Sequence, residues 1–469
     1  MNFVLIFIFV YVGLQLGFAW WASRRVHNEE DYLLAGRRLG PWLAVFTVFA
    51  TWFGAETCIG AAGQSYAEGL GGVKTDPFGY AAGIVIVGLF FAIPLWKRGI
   101  VTLADLFRQR YGGGVERLAA IIMIPTSLLW AAAQIRAFGQ VLASSSELGV
   151  TAAVTLAAFV VIVYTTSGGM WADAVSDLVQ GLVLVAGIVA VGALVLLSGG
   201  AGHVAGLPVE DLRFIDPDVS WLATVEAFAV PICGSIVAQE LVARVLSIRS
   251  PGLARRATVG AGVLYLAVGV IPVTIGLIGV HYVGELDEPE QVLMHVAASQ
   301  LPLLLYAMFV GALVSAILST VDSALLVAGS LAAHNLVLPL APKLSEAARV
   351  TVNRSAVVIF GLIAYGLALA SEGVYDLVVE ASSLGSAGIL VAMLFALWGP
   401  RIGAAPAAYA AMIAGLGTYI AAAHIGAADY PYLTSLAAAL AAYLLLSPFG
   451  RRHDLSTSPS SRKAWSPPR

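Results

Sequence analysis

The sequence predicts an all-α polytopic membrane protein of about thirteen transmembrane helices, and three observations carry that expectation. Apolar residues fill 59% of the 469 positions and charged residues 11%. A soluble domain carries about a quarter charged residues, so water cannot be the solvent for most of this surface. Apolar runs of roughly 18 to 28 residues recur from end to end, and a helix needs about 20 to cross a hydrocarbon core. No series of alternating ten-residue segments points to a membrane barrel instead.

The first element, Met1 to about Ala22, has no positive residue before its apolar stretch and runs directly into Arg24 and Arg25. That order opposes a cleaved signal peptide and predicts a retained helix with its N-terminus outside. Apolar segments follow at roughly 42–70, 77–96, 117–145, 151–166, 174–198, 221–247, 257–284, 298–337, 350–371, 376–398, 403–424 and 431–447. With the N-terminus outside, Arg37 and Arg38, Lys97 to Arg117, Arg249 to Arg256, Lys343 to Arg354, Arg401, Arg451 and Arg452 all fall on the cytoplasmic side. The outer side keeps Lys74 and Arg213, and it is the lysine and arginine count that sets orientation. Thr102 to Asp105 forms a capping-box pattern ahead of Leu106 and Phe107, which predicts a short interfacial helix.

The net charge of −3 implies no nucleic acid partner, and the bilayer is the expected surroundings. Cys58 and Cys233 lie inside apolar segments and are expected to be free thiols. The seven histidines are scattered, and no metalloprotease, nucleophile-elbow or phosphate-loop motif occurs. Enzymatic equipment is therefore not visible, no organic cofactor is implied, and function is expected within the membrane.

Two spans are interrupted in comparable ways. The second carries Gly54 and Glu56 at mid-depth, and the seventh carries Pro231, Gly234 and Ser235, five spans later. Broken helices at corresponding positions of two halves point to an inverted-repeat transporter whose unwound backbone lines a central site. The expected organisation is a leading helix at 1–22, a ten-helix, five-plus-five inverted-repeat core at 41–398, two trailing helices at 402–448 and a disordered cytoplasmic tail at 449–469. Core helix one then starts near Pro41 and core helix six near Trp221.

Core helix eight is dense in hydroxyls from Gly311 to Ser323, where a lipid-facing stretch would be aliphatic. The Ala316 carbonyl and the hydroxyls of Ser319 and Thr320 can converge on one point, which suits a small hard cation. Hydroxyls bonding back to carbonyls of the preceding turn are the alternative. Glu56 and Arg136 are the costly charges of core helices one and three; they either pair with each other or meet polar groups of a solute. Trp52, Tyr80 and Trp130 are aromatic candidates for a cation, with packing as the alternative.

Phe49 to Leu70 (FATWFGAETCIGAAGQSYAEGL), Thr165 to Gly181 (TTSGGMWADAVSDLVQG) and Ala316 to Gly329 (AILSTVDSALLVAG) together resemble the sodium/solute symporter family. The leader Asn28 to Gly40 (NEEDYLLAGRRLG) fits it too, and the resemblance runs from about residue 3 to 448. It implies alternating access driven by sodium, with Ala50, Phe53 and Ala316 offering carbonyls and Ser319 and Thr320 offering hydroxyls to the ion. A two-sodium scheme would add Asp177, Asp322 and Ser323. The solute site it implies gathers Trp52, Glu56, Thr57, Tyr80, Trp130, Gln134, Arg136 and Gln239.

The strings around Trp52, Tyr80 and Trp130 are most similar to the high-affinity choline transporter branch, but Ala238 stands where that branch has tryptophan and Glu56 where it has glycine. The expected solute is an amino acid, a carboxylate or a related small molecule, with a choline-like quaternary ammonium as the alternative. Trp130 and Gln134 share a helical face, while Arg136 lies about 120° around it. A non-transporting sensor, a membrane enzyme, and proton coupling through Glu56 or Asp177 are the competing readings. Substrate identity, the number of sodium ions and oligomeric state are left open by the sequence.

Overall fold

The computed structural model describes residues 6–449 except 15–16, 18–28, 147, 169, 216, 372, 400, 401 and 427. The C-terminal tail, much of the leading segment and the arginines at 24, 25, 401, 451 and 452 therefore lie outside the described residues. Among the described residues there is no strand, only an isolated parallel bridge between Leu39 and Ile248.

The elements are α1 (Pro41–Trp52), α2 (Ala61–Glu68), α3 (Tyr80–Ile86), α4 (Leu103–Tyr111), α5 (Gly113–Ser144), α6 (Val150–Gly168), α7 (Met170–Val195), α8 (Trp221–Val237), α9 (Gln239–Ser247), α10 (Pro251–Ile278), α11 (Leu303–Ser330), α12 (Glu346–Ala370), α13 (Val374–Leu397), α14 (Ala405–Ile425) and α15 (Pro431–Leu446). Eight helical stretches among the described residues are long and apolar enough to cross a membrane, or nine when α8 and α9 count as one bent span. The count is below the expected thirteen because much of the leading segment lies outside the described residues, because α1, α6 and α15 are short, and because the two expected spans within Glu56–Lys97, which the backbone separates at Gly69 (φ 66°) and Asp76 (φ −130°, ψ 127°), count as one stretch.

Local sequence explains where the helices begin. Proline opens α1, α10, α14 and α15 within the first turn, where its missing N–H costs nothing. Ser220, Ser250 and Ser345 cap α8, α10 and α12 by accepting N–H bonds from Ala223, Leu253 and Ala348. Helix α5 runs through the centre, packed against α11, α13, α6 and α12, and α11 also packs on α7. Large apolar side chains such as Phe90, Phe159, Leu304, Ile359 and Ile413 face outward, as hydrocarbon surroundings require. Helix α1 lies against α7 and α10, so its polar inner face is shielded from lipid.

Both expected interruptions are present. Helix α1 ends at Phe53 (φ −87°, ψ 80°) before helical geometry resumes at Glu56. The second break falls at Ala238 (φ −64°, ψ 117°), which bends α8 against α9 by 45°. This is one turn beyond the expected Gly234–Ser235, because those small residues serve packing. A Cβ on Gly234 would stand 2.8 Å from the Ser382 Cβ, and Ser235 sits against Gly83.

Helix α4 forms with its capping box from Thr102 and Asp105. Asp105 Oδ2 accepts the Val101 and Thr102 N–H groups at 2.9 and 3.2 Å, and Arg108 lies 3.3 Å from Oδ1. Burial raises the Asp105 carboxyl, but His334, Arg108 and the Val101 N–H outweigh it and hold the group down at about 2. A folded value below the unfolded one means the stabilisation is complete above about pH 4 and is lost as pH falls through 2. Asp105→Asn is expected to cost about 1–2 kcal/mol at pH 7, read as a lower unfolding temperature in detergent, with the gap closing below about pH 3. A gap unchanged in acid would contradict this account.

Candidate functional site

The break in α1 takes backbone N–H groups out of the regular helical ladder, leaving Gly54 N–H only the Trp52 carbonyl at 3.2 Å, and buried donors must find partners. Side chains supply them. Gly54 N–H donates to Glu56 Oε1 at 3.1 Å and Ala55 N–H to Gln134 Oε1 at 3.0 Å, while Gln134 Nε2 donates to Glu56 Oε2 at 2.7 Å. Glu56 is thus held by the break itself and by Gln134 of α5. A Cβ on Gly54 would stand 2.7 Å from Glu56 Oε2, 2.7 Å from Thr320 Oγ1 and 2.8 Å from Gln134 Oε1, so a larger residue would have to push these three side-chain ends aside.

On the other side of the break, α11 presents its hydroxyls to the backbone of α1. Ser319 Oγ and Thr320 Oγ1 both donate to the Ala50 carbonyl, at 3.1 and 3.2 Å, and Thr320 Oγ1 lies 3.1 Å from the Ala316 carbonyl. Phe53 has left helical geometry, which swings its carbonyl off the helix axis. Ser319 Oγ also lies 2.5 Å from Asp177 Oδ1 on α7, whose Oδ2 accepts from Thr47 at 2.5 Å. These oxygens, all buried, form one cluster between α1, α7 and α11.

Beside it lies an ionic knot. Arg244 of α9 is 1% exposed and bonds to Asp173, Ser323 and the Met170 sulfur, with Thr51 Oγ1 at 2.8 Å and Asp177 Oδ2 at 3.6 Å. The Ser323 hydroxyl is therefore engaged by Arg244, and it also donates to the Ser319 carbonyl at 3.0 Å. Asp322 is buried within the electrostatic reach of Asp173, Asp177 and Arg244. Asp173 and Asp177 face one guanidinium here, with Asp322 buried nearby, so three carboxyls share a single positive group.

Trp52, Tyr80 and Trp130 pack into one cluster. The Trp52–Trp130 centroids are 5.2 Å apart, Tyr80–Trp130 5.9 Å and Trp52–Tyr80 6.4 Å, with the Tyr80 hydroxyl 2.8 Å from Ser382 Oγ. Below the rings is a cavity of about 20 Å³ lined by Trp52, Trp130, Met123, Thr126, Ser127, Ala238, Gln239, Glu240 and Ser382 among others.

The expected solute residues separate accordingly. Trp52, Trp130 and Gln239 line this cavity, and Tyr80 buttresses it. Gln239 also accepts the Leu103 N–H of α4 at 2.5 Å. Glu56 and Gln134 bond to each other at the break, and Thr57 donates to Asp76 at 2.9 Å. Arg136 points elsewhere on α5, donating to the Ala368 carbonyl at 3.3 Å. The sequence reading gave no site role to Arg244, Asp173, Glu240 or Asp76. Each is a charged residue at membrane depth, and that signal alone could have flagged them.

The family model described as "Sodium:solute symporter family" matches residues 32–415. The high-affinity choline transporter 1 of Drosophila melanogaster is 29% identical over 376 residues, covering 76% of this chain and 60% of that protein. The human high affinity choline transporter 1 is 29% identical over 405 residues, covering 80% of this chain and 69% of that protein. A sodium/proline symporter of Staphylococcus aureus is 25% identical over 347 residues, covering 70% and 67%. The chain thus spans about three fifths to two thirds of the length of these relatives. Among solved structures, a Na+-coupled sialic acid symporter in a substrate-bound outward-open state superposes with a TM-score of 0.83 at 18% identity, covering 97% of this chain and 99% of that one. A nucleobase–cation symporter in a closed conformation superposes at 0.61 with 18% identity, covering 90% and 94%. These relatives and neighbours are transporters and not enzymes, and the sialic acid and proline symporters among them are sodium-coupled. The chain is a multi-pass membrane protein and belongs to the sodium:solute symporter family.

Proposed function

We propose that this chain carries out sodium-coupled symport of a small organic cation by alternating access. The reading of a cation rests on the grouping of Trp52, Trp130 and Tyr80, since aromatic rings attract a cation; the space beside them, about 20 Å³ and lined by no lysine or arginine, holds roughly one water and has to widen to admit the solute. The choline transporter similarity supports this class; the match to the sodium/proline symporter makes an amino acid the second reading. Coupling follows from the break in α1. Sodium at Ala50, Phe53, Ala316, Ser319 and Thr320 would fix the broken segment of α1 against α11, and that segment also carries Trp52, which lines the cavity. A second sodium would lie beside Asp177 and Asp322, where three carboxyls share the guanidinium of Arg244.

Residues 41–398 form the transport core in this reading, built as two inverted repeats of five helices within about thirteen spans, with helices at 1–22 and 402–448 flanking it. The protein sits in the plasma (inner) membrane with its N-terminus outside and its C-terminal tail cytoplasmic. Each 100 mV of potential adds about 2.3 kcal/mol per charge moved, enough for substantial accumulation with one ion. The test is binding of amino acids, carboxylates, sugars and organic cations to purified protein, with and without sodium. Cations are expected to bind, and only with sodium. Amino acids or carboxylates binding in their place would overturn the cation reading, and binding indifferent to sodium would overturn the coupling. Counterflow in vesicles separates a transporter from a sensor.

A further inference from the structure

Glu240 is a buried carboxyl in the cavity wall, two residues past the break between α8 and α9. One oxygen accepts the Ser127 hydroxyl at 2.5 Å. Among the described residues no lysine, arginine or histidine stands within ion-pair distance of it. Arg244, one turn further along α9, is turned to Asp173, Thr51 and Ser323. A carboxylate withdrawn from water without a positive partner is costly, and a cavity beside it is where that partner can come from.

The location relative to the rings matters. Ser127 and Trp130 are three residues apart on one face of α5, so the Glu240–Ser127 pair lies about one helical turn from the Trp130 ring, along the same cavity. Ala238, the residue at the break, lines the space beside them with only a methyl group.

We propose that Glu240, steadied by Ser127, is the specificity-determining anion of the solute site and selects ammonium groups that carry N–H donors over fully methylated quaternary ammonium. This rests on the cation reading given above. Rings attract either kind of cation, because they respond to charge. A carboxylate discriminates, because an N–H donor gives a charge-assisted hydrogen bond and a quaternary nitrogen has none to give.

The test is sodium-dependent binding of two matched series to the purified full chain: ethanolamine, its mono- and dimethyl forms and choline; and trimethylammonium against tetramethylammonium. The last methylation is expected to weaken binding by about 10- to 100-fold in both series, and Glu240→Gln to abolish that step while retaining its sodium-induced rise in unfolding temperature. Ser127→Ala should reduce the step. Equal binding of the last two members of each series by the unaltered protein, or a step retained in Glu240→Gln, would overturn the assignment of Glu240 and leave the cation reading standing. If no cation of either series binds with sodium, the cation reading falls and takes this inference with it. Should Glu240→Gln not fold, the methylation series on the unaltered protein decides by itself.

Discussion

Sodium-dependent solute binding is expected to vanish from a Ser319→Ala/Thr320→Ala variant. Both hydroxyls reach the Ala50 carbonyl, and Thr320 also touches the Ala316 carbonyl, so the pair joins α11 to the broken α1. Alanine keeps the helix and removes two ion-facing oxygens. A hydrogen bond to a charged group is worth about 1.5–3 kcal/mol, so losing two such contacts raises the sodium concentration for half-maximal binding by about 100-fold or more. Solute binding should follow, because Ala50 and Trp52 belong to the same end of α1, so an ion that fixes the Ala50 carbonyl also fixes the ring that lines the cavity. The measurement is solute binding over a sodium titration, and an unchanged sodium midpoint would remove these residues from the ion site.

Arg244→Met is expected to have the largest effect on stability. The guanidinium is buried among Asp173, Asp177, Thr51 and Ser323, and it ties α9 to α1, α7 and α11. Removing one partner of a buried ion pair costs about 3–5 kcal/mol, since the other charge is left uncompensated. The variant should unfold well below the unaltered protein in sodium-free buffer and recover part of the difference as sodium is added, because a cation that binds the folded state stabilises it by mass action. Arg244→Met/Asp173→Asn removes both charges and should regain part of the loss. If Arg244→Met unfolds at the same temperature as the parent at every sodium concentration, the knot does not hold these helices together.

Much of the fold was legible in the sequence because the bilayer imposes a simple rule, that a helical span must be long and apolar, and because several starts carry a capping serine or a proline. The break at Phe53–Gly54 and the α4 capping box were readable for that reason, since glycine and capping residues act locally. The other break was placed one turn early. Gly234 and Ser235 look like interruptions in one dimension, but in space they are the contact where Ser382 and Gly83 approach.

The sequence by itself determined that the chain lives in a membrane, which helices are polar within, and which family its motifs resemble. Only the tertiary structure decided who meets whom. Glu56 meets Gln134, Arg136 reaches Ala368, and Arg244 binds Asp173 across 71 residues. Periodicity specifies a side chain's direction from its own helix and carries no information about the neighbour it faces. That neighbour is set by how helices distant in sequence pack, and for buried charges the choice of neighbour is what separates a structural tie from a binding group.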